Sequence, residues 1–207
     1  MILILTSSGW RANKKVKIMF SGMLRKIQKN VSEVRVLLIS ISDAKEKKNL
    51  LSYHIHELRK LGIRKENIEF LTNVEVPKSN DFDVIYVCGG NTYLYMHRLR
   101  KTKWDRKIKN LSKKKKLIYF GISAGSIIAG KWINIASLGK NPDKNIVGLR
   151  NMRGLGLVPY CILPHYSTED EKEIREYERK IKCKVIRIRE KRSSNLQNLG
   201  SLYHKKD

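Results

Sequence analysis

Short apolar runs alternate with longer amphipathic ones along this chain. Segments 2–6, 34–41, 68–72, 84–88 and 117–120 are rich in Ile, Leu and Val. Each has the length of a buried strand, and most are followed by Ser, Gly or Asn. Between them, segments 15–29, 45–61 and 92–111 carry apolar residues at helical spacing. In the second of these, Leu50, Leu51, His54, Ile55, Leu58 and Leu61 line one face, and Gly62 ends it. Strand–helix alternation of this kind predicts a parallel sheet with helices on both faces. No repeat, low-complexity tract or Pro/Gly/Ser linker divides the chain, so the pattern predicts one doubly wound α/β domain over residues 1–190.

Beyond the last of those strands the pattern loosens. Residues 138–151 mix Gly, Asn, Pro and Asp in the manner of a loop. Gly154-Leu155-Gly156-Leu157 then leads into an apolar run at 158–163 and into Pro164-His165-Tyr166. A charged helix is predicted at 168–182, with Ser167 or Thr168 as cap and Glu169, Asp170 and Glu171 where the helix dipole favours acids. Segment 184–189 reads as one more strand, and 191–207 as a short polar tail.

Composition narrows the class. Of 207 residues, 41% are apolar, enough for a core at this size. Lys+Arg exceed Asp+Glu by 44 to 19, a net charge of +25. A basic surface attracts phosphate, and the best local case is residues 101–109 with Trp104, followed by the lysines at 113–116. The lysines are spread over the whole chain, however, and that stretch also reads as a solvated helix face ending where cations are favoured. Nucleic acid is therefore a remote alternative as partner. Cys88, Cys161 and Cys183 form no CxxC pair and no zinc-ligand spacing, which suits a reducing cytoplasm. No apolar run approaches the ~18–20 residues of a membrane span. Residues 1–6 have no charged region before them and are too short for a signal peptide.

The segment 117–130 carries the clearest chemistry. An apolar strand runs into Gly121-Ile-Ser123-Ala-Gly125 and then into a small-residue helix. That is the strand–turn–helix context of a nucleophile elbow, in which Ser123 projects its hydroxyl from the top of a strand and the Ala124 N–H faces a developing oxyanion. The same pentapeptide can be a bare strand–helix junction; its flanks favour the nucleophile. A serine needs a base, and the chain offers His54, His56, His97, His165 and His204. Only His165 directly follows an apolar strand, at the sheet end where functional groups gather; a loop-capping histidine is the plainer alternative. Cys88-Gly89-Gly90-Asn91-Thr92, again between strand and helix, suits a second oxyanion donor better than a phosphate cradle, since neither GxGxxG nor a Walker lysine is present.

Thr6-Ser7-Ser8-Gly9, Gly89-Gly90-Asn91-Thr92, Gly121-x-Ser123-Ala124-Gly125-Ser126, and Gly154-Leu155-Gly156-Leu157 followed by Pro164-His165-Tyr166 occur in that order. Together they resemble the peptidase E group of α-aspartyl dipeptidases, with cyanophycinases as more distant relatives. The resemblance implies a three-layer αβα, mostly parallel fold like that of class I glutamine amidotransferases (flavodoxin-like), with serine in place of their cysteine. It implies Ser123 as nucleophile, His165 as base, and Gly89, Gly90, Asn91 and Ala124 around the substrate, with Gly90 and Ala124 donating the oxyanion-hole N–H groups. It further implies small peptides with an N-terminal aspartate as substrates, no cofactor or metal, and a monomer or homodimer.

The family's third member is an aspartate about fifteen residues after the nucleophile, where this chain has Leu138. Asp143, the only carboxylate between Asp105 and Glu169, is the natural candidate. Glu169, Asp170 and a Ser–His dyad stay open. The tail also departs from the family, whose members continue into further strands covering the sheet edge. A non-catalytic relative that keeps the fold as a binding protein is the alternative these departures allow.

Overall fold

The computed structural model describes residues 1–27, 30–41, 48–190 and 194–195. Strands β1 (Ile2–Thr6), β2 (Val36–Ile39), β3 (Ile68–Leu71), β4 (Val84–Val87) and β5 (Ile118–Ile122) pair in parallel in the order β3-β2-β4-β5-β1. β6 (Cys161–Leu163) and β7 (Val185–Arg187) form a separate parallel pair. β8 (Ser194–Asn195) adds antiparallel to β1. The edge cover expected to be missing is thus supplied at β1 by this short strand.

Alternation along each strand divides the core in two. Ile2, Ile4, Val36, Leu38, Val84, Tyr86, Ile118 and Phe120 face one layer. There they meet Trp10 of α1 (Gly9–Ala12), Val16, Phe20 and Leu24 of α2 (Lys14–Lys26), and Leu58 of α3 (Lys48–Lys60). Leu3, Leu5, Leu37, Ile39, Ile85, Val87 and Tyr119 face the other. They meet α4 (Thr92–Lys101), α5 (Trp104–Leu111) and α6 (Ala124–Ala129), with β6, β7 and α7 (Glu171–Ile181) in the same layer. The expected three-layer αβα architecture is therefore present. Among the described residues, no helix is long and apolar enough to cross a membrane.

One element differs from its sequence expectation, and part of another lies outside the described residues. The single helix expected over 92–111 is broken at Lys103, which takes φ 61. The left-handed residue resets the helical phase: Tyr93, Met96 and Leu99 on one side of the break and Trp104, Ile108 and Leu111 on the other are all buried. Lysine gave no sign of this, since such a break usually shows a Gly or Asn. Of the helix expected over 45–61, residues 45–47 and the Leu50 side chain lie outside what is described, while His54 and Leu58 are buried as the pattern required.

Candidate active site

Parallel strands deliver their carboxyl ends to one rim of the sheet. Thr6 of β1 is in register with Ile122 of β5, and Val87 of β4 with Gly121, so the loops after all three strands open together. The tight turn after β5 is set by what its glycines touch. A Cβ at Gly121 would lie 2.6 Å from Gly125 O, and one at Gly125 would lie 2.5 Å from Val87 O. Only glycine lets the helix sit this close to the strands. Ser126, fully buried, locks the turn: its Oγ accepts from Thr6 N at 2.9 Å and lies 2.8 and 2.9 Å from the carbonyl oxygens of Thr6 and Gly121.

Ser123 sits between strand and helix at φ 48, ψ −113, a region costly for a residue with a side chain. Its N–H is held by Thr6 O at 2.9 Å. The strain aims Oγ out of the turn, where it meets His165 Nε2 at 3.0 Å. His165 itself has φ 57, turning the chain sharply after β6, and its N–H donates to Ser7 Oγ at 2.9 Å.

The other imidazole nitrogen, Nδ1, makes a close hydrogen bond with Glu190 Oε1. An ionised carboxylate only accepts, so Nδ1 carries the proton and Nε2 is left to accept from the Ser123 hydroxyl. Ser8 Oγ donates to the second oxygen, Oε2, at 2.6 Å. Burial pulls the Glu190 carboxyl upward, but the hydrogen bonds from Ser8 and His165 outweigh it and hold the group below its ordinary value. The ladder between β6 and β7 continues past both strands, with Ile188 N to Leu163 O at 2.9 Å and Tyr166 N to Ile188 O at 3.0 Å. That continuation places Glu190 beside His165.

The carboxylate facing His165 is thus Glu190, where the sequence had pointed to Asp143. Asp143 is committed elsewhere: its Oδ2 accepts from Thr92 N at 2.8 Å, at the start of α4. Asn91 caps the same helix through Oδ1, and its Nδ2 donates to Lys144 O at 2.8 Å. The loop carrying Asp143 is thereby pinned against α4. Glu169 pairs with Lys140 at 2.6 Å, and Asp170 accepts from Ser167 N in a capping box. Leu138 forms an apolar wall of the cleft.

Gly89 lies beside the serine. A Cβ on Gly89 would stand 3.5 Å from Ser123 Cβ, and one on Gly90 would meet Tyr95 Cε2 at 2.7 Å and Ile41 O at 2.9 Å. Ala124 opens α6, where the first N–H groups have no intrahelical acceptor. Ser123, His165, Asp143 and Glu190 border a cleft of about 350 Å³ walled by Ile127, Leu138 and Leu163. Among the described residues, Lys140 is the one lysine or arginine lining it. Among the described residues, no cluster of His, Cys, Asp or Glu has the makings of a metal site.

Three features escaped the sequence. Glu190 stood at the end of a basic strand and left no motif. The hydroxyls of Ser7 and Ser8 lay in a recognised motif, Thr6-Ser7-Ser8-Gly9, but their roles depend on partners 158 and 182 residues away.

A sequence profile described as peptidase family S51 matches residues 3–193. An uncharacterized peptidase of Listeria monocytogenes is 37% identical over 123 residues, covering 56% of this chain and 58% of the relative. One of Listeria innocua is 39% identical over 98 residues, covering 47% and 44%. The chain thus matches only about half the length of these curated relatives. Among solved structures, a Listeria monocytogenes protein described as a candidate peptidase E superposes with a TM-score of 0.67 at 25% identity, covering 93% of this chain and 92% of that one. A peptidase from an acI-B1 actinobacterium, at 18% identity and a TM-score of 0.57 over 94% and 84% of the two chains, shares the fold.

Proposed function

The chain belongs to peptidase family S51, and on that premise we propose that it is a serine peptidase cleaving short peptides, dipeptides with an N-terminal aspartate above all. The observation that carries this reading is the 3.0 Å contact between Ser123 Oγ and His165 Nε2, at a serine held in a strained elbow.

Ser123 Oγ attacks the scissile carbonyl as His165 Nε2 takes its proton. Glu190 keeps Nδ1 protonated and stabilises the imidazolium. The N–H groups of Gly90 and Ala124 receive the oxyanion. On collapse, His165 passes the proton to the leaving amine and the acyl group remains on Ser123. Water, activated by the same histidine, then releases the acid and restores the hydroxyl.

Lys140 supports the acidic preference, because among the described residues it is the one lysine or arginine lining the cleft, and its partner Glu169 is an exposed side chain that a substrate carboxylate can replace. Glu190 beside His165 weakens one of the two grounds for a non-catalytic relative, the doubtful acid; the altered tail is the other. Three thiols without disulfides suit a reducing, cytoplasmic setting.

The test is hydrolysis of a panel of Asp-X, Asn-X and Ala-X dipeptides by the wild type and Ser123→Ala. Activity confined to Asp-X and abolished in the variant is expected. A folded wild type inert on the whole panel would overturn the reading.

A further inference from the structure

Cys161 and Cys183 lie in the layer that carries His165 and Glu190, and the mechanism above does not use them. Cys161 opens β6 and Cys183 precedes β7, with Cys161 N donating to Lys184 O at 2.9 Å. Their Sγ atoms are 3.1 Å apart. A disulfide bond needs about 2.05 Å, so closure requires a movement of about 1 Å. Cys88, the remaining thiol, is buried in the opposite layer of the core.

We propose that Cys161 and Cys183 are a dithiol pair that a low-molecular-weight disulfide oxidises to an internal bond, stapling together the two strands that lead to His165 and Glu190. Cys183 is the point of entry. It is 6% exposed against 0% for Cys161, and it follows Lys182, whose φ of 50 ends α7 in a left-handed turn. As thiolate it attacks one sulfur of the reagent, forming a mixed disulfide and expelling one thiolate, which takes a proton. The Cys161 sulfur, losing its proton, then attacks Cys183 Sγ. The Cys161–Cys183 bond forms and the second reagent thiol departs. Two protein thiols are oxidised, and one reagent disulfide is reduced to two thiols.

The surroundings set the order of attack and the result. Burial, with Cys183 beside it, pushes the Cys161 thiol up to about 12, so in the reduced pair Cys161 stays protonated and does not make the first attack. The Tyr177 hydroxyl, 3.7 Å from Cys161 Sγ, donates to Asn134 Oδ1 at 2.8 Å, which ties α7 to the segment before the cleft wall. A link across 22 residues removes freedom from the unfolded chain while asking little of the folded one.

The full-length protein is incubated with oxidised glutathione, and its intact mass, non-reducing peptide map and melting temperature are followed. A mass lower by two hydrogens is expected, with one linked peptide pair joining Cys161 to Cys183, Cys88 still alkylatable after denaturation, and a melting point several degrees higher that dithiothreitol reverses. Cys183→Ser should show none of these changes; the reduced and oxidised wild type give the comparison without it. A stable glutathione adduct, a link involving Cys88, no reaction, or an unchanged or lower melting point on oxidation would each overturn the proposal. None of these readouts depends on peptide hydrolysis.

Discussion

Ser8 stands at the N-cap of α1 yet makes no capping bond; its hydroxyl goes instead to Glu190, 182 residues away. Serine at that position normally stabilises its own helix by satisfying a free N–H. Here local helix stability is given up to fix a carboxylate. Ser7 acts alike one residue earlier, accepting from His165 N and donating to Ile188 O at 3.1 Å. One loop thus holds the backbone of the histidine and the side chain of the acid.

Glu190→Gln should lower kcat by about 10²–10⁴-fold with little change in KM, because a neutral amide no longer stabilises the imidazolium. Ser8→Ala should lower kcat less, since Glu190 keeps its bond to His165. Asp143→Asn should leave kcat near wild type, its carboxylate being engaged with Thr92 N. Steady-state kinetics of the three variants separates Glu190 from Asp143; equal losses in Glu190→Gln and Asp143→Asn would refute the assignment.

Gly125→Ala would drive a methyl to 2.5 Å from Val87 O, where backbone must yield. A destabilisation of about 1–3 kcal/mol is expected. Ser126→Ala, which strands the buried Thr6 N–H, should cost a similar ~1–3 kcal/mol. Chemical denaturation reads both directly. A Gly125→Ala variant as stable as wild type would mean the elbow is less tightly packed than described.

His54 is buried with Nδ1 2.9 Å from the Tyr86 hydroxyl, and burial, aided by Arg11, lowers its pKa to about 4. The unfolded chain binds that proton near pH 6.5, so between about 6.5 and 4 unfolding takes up a proton the folded state refuses. Stability should therefore fall as pH drops through that window, by on the order of 3 kcal/mol, and be flat with respect to this group above it. His54→Gln, which keeps an acceptor for Tyr86 but does not titrate, should flatten the slope. An unaltered slope in that variant would assign the acid sensitivity elsewhere.

Lys140→Ala should raise KM for Asp-X dipeptides by about 2–5-fold while leaving kcat unchanged, the range expected of an exposed ion contact. Ala-X substrates should be indifferent to the change. A loss shared equally by Asp-X and Ala-X would remove Lys140 from specificity.

The sheet, the elbow and the histidine were legible because each is written locally. Continuous apolar runs encode β1, β2, β4 and β5, and Gly121-x-Ser123-x-Gly125 encodes a turn that only glycine permits. The acid was not legible. Any carboxylate that the ladder beyond β6 and β7 brought beside His165 would serve, so Glu190 needed no sequence spacing from Ser123. Asp143 attracted attention through its position in the chain, whereas its actual work is at the start of α4. The break at Lys103 was hidden for a related reason: the apolar spacing on either side is helical, and the one-residue phase shift is visible only once both halves are packed.

The pairing of β1 bears on how the chain is made. Among the described residues its sheet neighbours are β5 and β8, so the earliest of these strands to be made waits for Ile118 before it can hydrogen-bond to another. Ile2, Leu3, Ile4 and Leu5 are apolar, and until β5 has been made this strand has an unpaired edge on each side. Nascent chains stalled before β5 should therefore be captured by chaperones and prone to aggregate, and those released after β8 should not.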